Sequence, residues 1–210
     1  MSTKVDVFVD FVCPFCFLVE NAIEKLIRDR DVEVRIRPFE LRPDPTPTLR
    51  PEDSYLPRVW HASVYPMADC VGIPLTLPSI SPQPRTEKTF MLLQLAEERG
   101  RSQEYSLAVY KAFFQSDRDI GNDDVLIEVA VSVGLDPRDA KEALNSEERR
   151  TRHRADQDYA LNTVGITSVP GIVIGGQLLS GVPSAARLKN AVDTTVGNLG
   201  QPKEYQQASS

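Results

Sequence analysis

Cysteine and histidine are scarce in this chain of 210 residues, with three of the first and two of the second. A small, odd set of cysteines argues against a framework of structural disulfides and for thiol chemistry or metal binding. A zinc site built on Cys13 and Cys16 needs a second ligand pair. Only Cys70, His61 and His153 remain for it, and none belongs to a second closely spaced pair, so no metal is expected. Long hydrophobic runs are also missing. No stretch approaches the roughly 20 apolar residues that cross a bilayer, so no membrane partner is expected. An excess of basic charge is lacking as well. Lys plus Arg is 24 against 30 for Asp plus Glu, a net charge of −6. That balance has no footprint for nucleic acid. The opening run from Val5 to Val12 is broken by Asp6 and Asp10 and has no small-residue cleavage site after it. It does not read as a secretory signal, and the expectation is a cytoplasmic protein whose thiols are kept reduced.

What is present is the composition of an ordinary soluble domain, 41% hydrophobic and 26% charged. Val5, Val7 and Val9 alternate as a strand. Leu18, Ala22, Ile23, Leu26 and Ile27 then recur at helical spacing across residues 14–30, and Val32, Val34 and Ile36 alternate again. Pro14 suits a first helical position, where its missing N–H costs nothing. Residues 38–84 hold eleven of the sixteen prolines and are expected to be irregular, wrapping the surface or shaping a groove. A helical block follows over 86–99, 102–116, 122–133, 136–145 and 146–164, with Asn122 and Asp136 as caps and Gly100, Gly134 and Gly165 as stops. Ile172 to Ser180 around Gly175-Gly176 reads as a hairpin, and Ser184 caps a last helix to Val196. The fold class is α/β. Its order, β-α-β, then helices, then β-β-α, is a thioredoxin fold interrupted by an all-helical insertion. The expected halves are 4–40 and 165–197 of a domain spanning 4–197, with the proline-rich loop and insertion at 41–164 and a flexible tail at 198–210.

Two motifs carry chemistry. Cys13-Pro14-Phe15-Cys16 stands where the first strand meets the first helix. Residues three apart on a helix are neighbours, so the two sulfurs can form a disulfide. Orphan N–H groups at a helix start favour a thiolate, which makes Cys13 the nucleophile and Cys16, one turn inside, the resolving thiol. Simple packing of two buried cysteines is the plain alternative. The second motif, Ser168-Val169-Pro170, precedes the third strand. Taken alone, it reads as a trans proline opening that strand.

Asp10-Phe11-Val12-Cys13-Pro14-Phe15-Cys16-Phe17, a helical insertion, and Ser168-Val169-Pro170 before a hairpin together resemble the DsbA family of thioredoxin-like oxidoreductases. The likeness is greatest to its cytoplasmic FrnE-like, or polyketide-biosynthesis-type, subgroup, and it runs from Lys4 to about Gly197. It implies Cys13 as nucleophile, Cys16 as its partner and Pro170 as a cis proline facing them. Pro14, Phe15 and Val169 become substrate-binding residues, the backbone of Val169 pairing with an extended substrate. The subgroup usually has tryptophan at Phe15, tyrosine at Phe17, glycine at Ser168 and a bulkier residue at Gly171. The implied activity is thiol–disulfide oxidoreductase or isomerase, exchanging a Cys13/Cys16 disulfide with protein or small-molecule thiols. It needs no cofactor beyond that redox-active disulfide; glutathione is a candidate co-substrate, and a homodimer is compatible with the sequence. The alternative is a glutathione-dependent transferase or isomerase of the kappa/hydroxychromene-carboxylate-isomerase type. Those proteins carry serine or a single thiol at the first position, so two cysteines favour the redox activity.

Three further features are read from residues alone. Cys70 is expected to be a buried packing residue and His61 an ordinary surface histidine. The run Arg149-Arg150-Thr151-Arg152-His153-Arg154, flanked by acids, is expected to be a solvated helix face. Tyr55, Trp60, Tyr65 and Met67 are equally plausible as a substrate wall or as core.

Overall fold

The computed structural model describes residues 2–199. Strand β1 (Thr3–Val9) forms where the alternating valines predict a strand: Val5, Val7, Phe8 and Val9 are all buried, so both of its faces are covered. It ends at Asp10, and the chain turns through a Cys13 N–H···O Asp10 bond of 3.0 Å into α1 (Pro14–Leu18). The continuous helix expected over 14–30 is instead two, because Val19 separates α1 from α2 (Glu20–Asp29) while keeping helical dihedrals. β2 (Val32–Pro38) pairs parallel to β1, Val5 opposite Val34 and Val7 opposite Ile36. It lies at the sheet edge and is half-buried nearly throughout. Its arginines are tied down beside it, Arg37 to Asp6 at 3.0 Å and Arg35 to Glu33.

The proline-rich segment is not wholly irregular. It contains α3 (Tyr55–Val59), a π-helical turn (Trp60–Val64) and α4 (Tyr65–Val71). Pro57 and Pro66 sit within the first turns of α3 and α4, where a missing N–H removes few helical bonds. The wider π turn lies just before Pro66. Then come α5 (Glu87–Glu98), α6 (Ser102–Phe114), α7 (Asp123–Ser132), α8 (Pro137–Leu144) and α9 (Glu147–Asp158). The last runs on as a π-helical turn (Tyr159–Val164) to Gly165 in the left-handed region. β3 (Gly171–Ile174) pairs antiparallel with β1, and β4 (Gln177–Ser180) antiparallel with β3, giving the order β2-β1-β3-β4. α10 (Ala185–Leu199) closes the described chain, running past the expected end at Val196; of the expected tail, 200–210 lies outside the described residues. A mixed sheet with this connectivity and helices inserted between β2 and β3 is the thioredoxin-type α/β fold read from the sequence.

Aromatic rings weld the insertion to the sheet. Phe11, just before Cys13, lies 4.9 Å from Phe90 and 5.2 Å from Tyr110, centroid to centroid. Phe17 on α1 stacks on Tyr110 at 5.5 Å. The turn bearing both cysteines is therefore gripped from its apolar side. None of the helices among the described residues is long and apolar enough to cross a membrane.

Candidate functional site

Cys13 occupies the N-cap position of α1, with extended backbone, and Pro14 fills the first helical position. Its exposure is only 5%, less than a nucleophile at a helix tip suggested, because the loop before β3 folds over it. Val169–Pro170 in that loop is a cis bond, and the Cys13 thiol donates to the Val169 carbonyl oxygen at 3.6 Å. Cys16 is fully buried, its N–H bonded to the Cys13 carbonyl at 3.1 Å. Burial pushes the Cys16 thiol well above the ordinary range, and the neighbouring Cys13 pushes the same way. Both thiols are free, so the dithiol form is what the structure describes.

Cys13 opens onto a cavity of about 230 Å³, lined also by Val12, Pro14, Phe15 and Val169. Its far wall comes from the proline-rich segment, through Leu49, Tyr55, Leu56 and Trp60, and Arg42 and Arg85 add two cations. Trp60 is a buried wall residue and Tyr55 an exposed one; Tyr65 and Met67 do not reach the cavity. Arg85 is engaged by Asp44 at 3.2 Å and by the Arg42 carbonyl at 2.9 Å. Cys70 is exposed on α4 rather than packed in the core, and away from this cavity. His61 is exposed, as expected, edge-on to Tyr65.

Beneath the cysteines lies a polar cluster that sequence reasoning did not assemble. Asp10 is 1% exposed, yet its carboxylate accepts from the Leu41 N–H and the Thr86 hydroxyl, each at 2.8 Å. Burial raises its pKa to about 6; those two bonds work against the shift, and the charge of Glu40 adds to it. Glu40, 6% exposed, meets His153 Nε2 at 2.7 Å and accepts from the Thr86 N–H at 3.3 Å. His153 is 1% exposed and stacks on Phe90 at 5.2 Å, and its Nδ1 has no partner. The basic run on α9 is thus a solvated face only in part. Arg149, Arg150 and Arg152 pair with Glu98, Glu87 and Glu97, while His153 turns inward. The one hint in the sequence was Asp10, an aspartate in the largely apolar run just ahead of the cysteines; nothing local marked Glu40, Thr86 or His153. Among the described residues no three acidic, histidine or cysteine side chains are arranged to hold a metal ion.

A CxxC turn at the end of the central strand, covered by a cis-proline loop, is matched over residues 4–193 by the model of the DSBA-like thioredoxin domain. The chain belongs to that family. It is 37% identical to the uncharacterized protein YwbO of Bacillus subtilis (strain 168) over 193 residues, 91% of this chain and 96% of YwbO. Among solved structures it resembles a probable DsbA oxidoreductase, SCO1869 from Streptomyces coelicolor, with a TM-score of 0.76 and 25% identity over 99% of this chain and 95% of that one. It also shares its fold with the cytosolic disulfide reductase DsbM of Pseudomonas aeruginosa, solved with GSH, with a TM-score of 0.66 and 18% identity over 93% of this chain and 96% of DsbM. Members of this DsbA-like family act on thiols and disulfides.

Proposed function

We propose that this DsbA-like chain is a thiol–disulfide oxidoreductase whose electrons pass through Cys13 and Cys16. The observation that carries the proposal is the unequal placement of the two sulfurs. Cys13 faces the cavity against the Val169 carbonyl, whereas Cys16 is sealed behind it. In the oxidising direction, a substrate thiolate attacks Cys13 Sγ, the Cys13–Cys16 bond breaks and Cys16 leaves with the electron pair. A second substrate thiolate then displaces Cys13, releasing substrate disulfide and leaving the dithiol. The reducing direction is the reverse. Val169 offers its backbone, and Pro14 and Phe15 their apolar surface, to the segment flanking the reacting sulfur, and Pro170 shapes the loop that presents Val169. A place in the FrnE-like subgroup and a cytoplasmic setting belong to the same proposal, supported by the motif from Asp10 to Phe17.

The test is equilibration of the purified protein in glutathione redox buffers, followed by mass spectrometry of the trapped thiols. A reversible Cys13–Cys16 disulfide is expected. Its absence at every buffer ratio overturns the proposal.

One observation supports a second reading, a glutathione-dependent transferase or isomerase. Arg42 and Arg85 line the same small apolar cavity as Cys13, an arrangement suited to a low-molecular-weight thiol bearing carboxylates. The two readings separate on Cys16→Ser. A redox enzyme of this type stalls as a mixed disulfide, while a glutathione-dependent isomerase keeps turning over.

A further inference from the structure

The wall of the Cys13 cavity carries four polar side chains that are more than nine-tenths buried, Asp10, Glu40, Thr86 and Gln83. Three of them are paired among themselves and with His153: the Thr86 hydroxyl donates to Asp10, the Thr86 N–H to Glu40, and Glu40 meets His153. Gln83 stands apart. Its backbone N–H donates to the Leu49 carbonyl at 2.7 Å, but its carboxamide pairs with none of the described residues. A buried polar group left without a partner is costly, so each one calls for a reason. The segment that carries it is also stiff. Pro82 and Pro84 flank Gln83, and a residue before proline favours extended backbone. Behind this segment the chain at Gly121 passes so close that a Cβ there would lie 2.9 Å from Pro84 Cβ.

We propose that Gln83 is a specificity-determining residue of the thiol site. Its carboxamide pairs with a peptide group next to the reacting sulfur, so the site selects cysteinyl peptides over thiols that lack an amide. The proposal rests on the dithiol reading of the site. A carboxamide offers an acceptor and a donor, the complement of a peptide N–H and C=O. An extended chain carries such groups along both of its edges. Val169, on the loop before β3, is placed for one edge; Gln83, tied to Leu49 on the far wall, is placed for the other. The cavity, at about 230 Å³, is smaller than the roughly 300–1,000 Å³ that enclose drug-sized ligands. What it holds is therefore the immediate surroundings of the sulfur. Gln83 also borders an outer hollow of about 480 Å³, which shares Thr48, Pro84 and Arg85 with the cavity wall and leaves room for chain beyond the cysteine.

Oxidation of the dithiol reads this selection directly. Cys13 attacks one sulfur of a disulfide, whose other half leaves as a thiolate, and Cys16 then displaces the half held on Cys13. The Cys13–Cys16 bond closes, and the attacked disulfide becomes two thiols that take up both protons. Three disulfides serve as probes. That of N-acetylcysteine N-methylamide carries peptide groups and no charge, oxidised glutathione carries peptide groups and carboxylates, and 2-hydroxyethyl disulfide carries neither. Each is mixed in excess with reduced protein in a Cys70→Ser background. Acid quenching, alkylation and mass spectrometry give the second-order rate at which the dithiol is lost. Dividing by the rate of the same disulfide with dithiothreitol removes its intrinsic reactivity.

In the parent, the corrected rates for both peptide disulfides should exceed that for 2-hydroxyethyl disulfide by about fivefold to tenfold, the weight of one neutral hydrogen bond. Gln83→Met keeps the length of the side chain without its polar atoms and should bring that ratio close to one. Gln83→Leu decides the matter if Gln83→Met does not fold. The faster of the two peptide probes names the source: glutathione if Arg42 and Arg85 add to the attraction, a protein segment if the uncharged capped cysteine is preferred. Parity of the three corrected rates in the parent overturns the proposal. So does a variant that keeps the parental ratio, whether it leaves the rates alone or slows all three probes alike, as a merely structural role would. Failure of the parent to react with any of the three overturns the dithiol reading instead.

Discussion

The Thr86 hydroxyl donates to Asp10 Oδ1 at 2.8 Å, across 76 positions of sequence. Thr86 is the N-cap residue of α5, where such a hydroxyl ordinarily accepts from its own helix, but here it makes no cap bond. It serves the loop before Cys13 instead. Thr86→Val should therefore destabilise the protein by about 1–3 kcal/mol through a buried carboxylate deprived of its side-chain donor rather than through a lost cap. Thr86→Ser should restore most of the loss. Urea unfolding of the three proteins checks this, and equal midpoints for wild type and Thr86→Val would count against the bond having weight.

Asp10 also fixes a pH dependence. Its pKa rises from 3.8 unfolded to about 6 folded, so between those values the folded state binds the extra proton. Its stabilising contribution is fully present below about pH 4 and is lost as pH rises through about 6, about 3 kcal/mol over the whole range. Unfolding free energy measured at steps across this window should fall with pH for wild type and fall less for Asp10→Asn. Parallel curves would refute the assignment.

The three thiols should react in a fixed order. Iodoacetamide near neutral pH should label exposed Cys70 and cavity-facing Cys13 well before Cys16, which is fully buried and whose ionisation is suppressed. Peptide mapping over time reads the order directly. Comparable labelling of Cys16 and Cys13 in the folded protein would contradict their unequal placement.

At the hairpin, Gly175 has φ of +57°, and a Cβ there would come within 2.6 Å of Thr195 Cγ2 on α10. Gly175→Ala should cost about 2–4 kcal/mol, from the left-handed backbone and the overlap together. Adding Thr195→Ala should recover the steric part and leave the backbone part, so the double variant should fall between the two. Full recovery, or none, would show that only one of the two causes operates.

The parts of the fold written in local chemistry were legible in the sequence. The caps at Asn122 and Asp136 each accept backbone N–H groups as their residue types foretell, and Gly134 and Gly165 end helices in the left-handed region. The strand-to-helix cysteine turn was equally plain. Residues 55–71 were not, because proline counts say little about where in a helical turn each proline falls. The exposure of Cys70 and the inward turn of His153 escaped for a related reason. α9 carries too few apolar residues to announce a buried face, and the partner that draws His153 inward lies 113 positions away. The Asp10 cluster is assembled mainly by such distant pairs.

That cluster bears on modularity. Glu40 follows the end of β2, Thr86 heads the helical block and His153 and Gln157 stand near its close, with Gln157 clasping the Glu40 backbone at 2.7 and 3.1 Å. Excising 41–164 to leave a minimal thioredoxin-like core would therefore remove more than a lid. It would strand two acids under the cysteines with neither their donors nor the histidine beside them. The helical insertion is not a detachable ornament on the sheet; it supplies the donors and the histidine that hold the buried acids beneath Cys13 and Cys16.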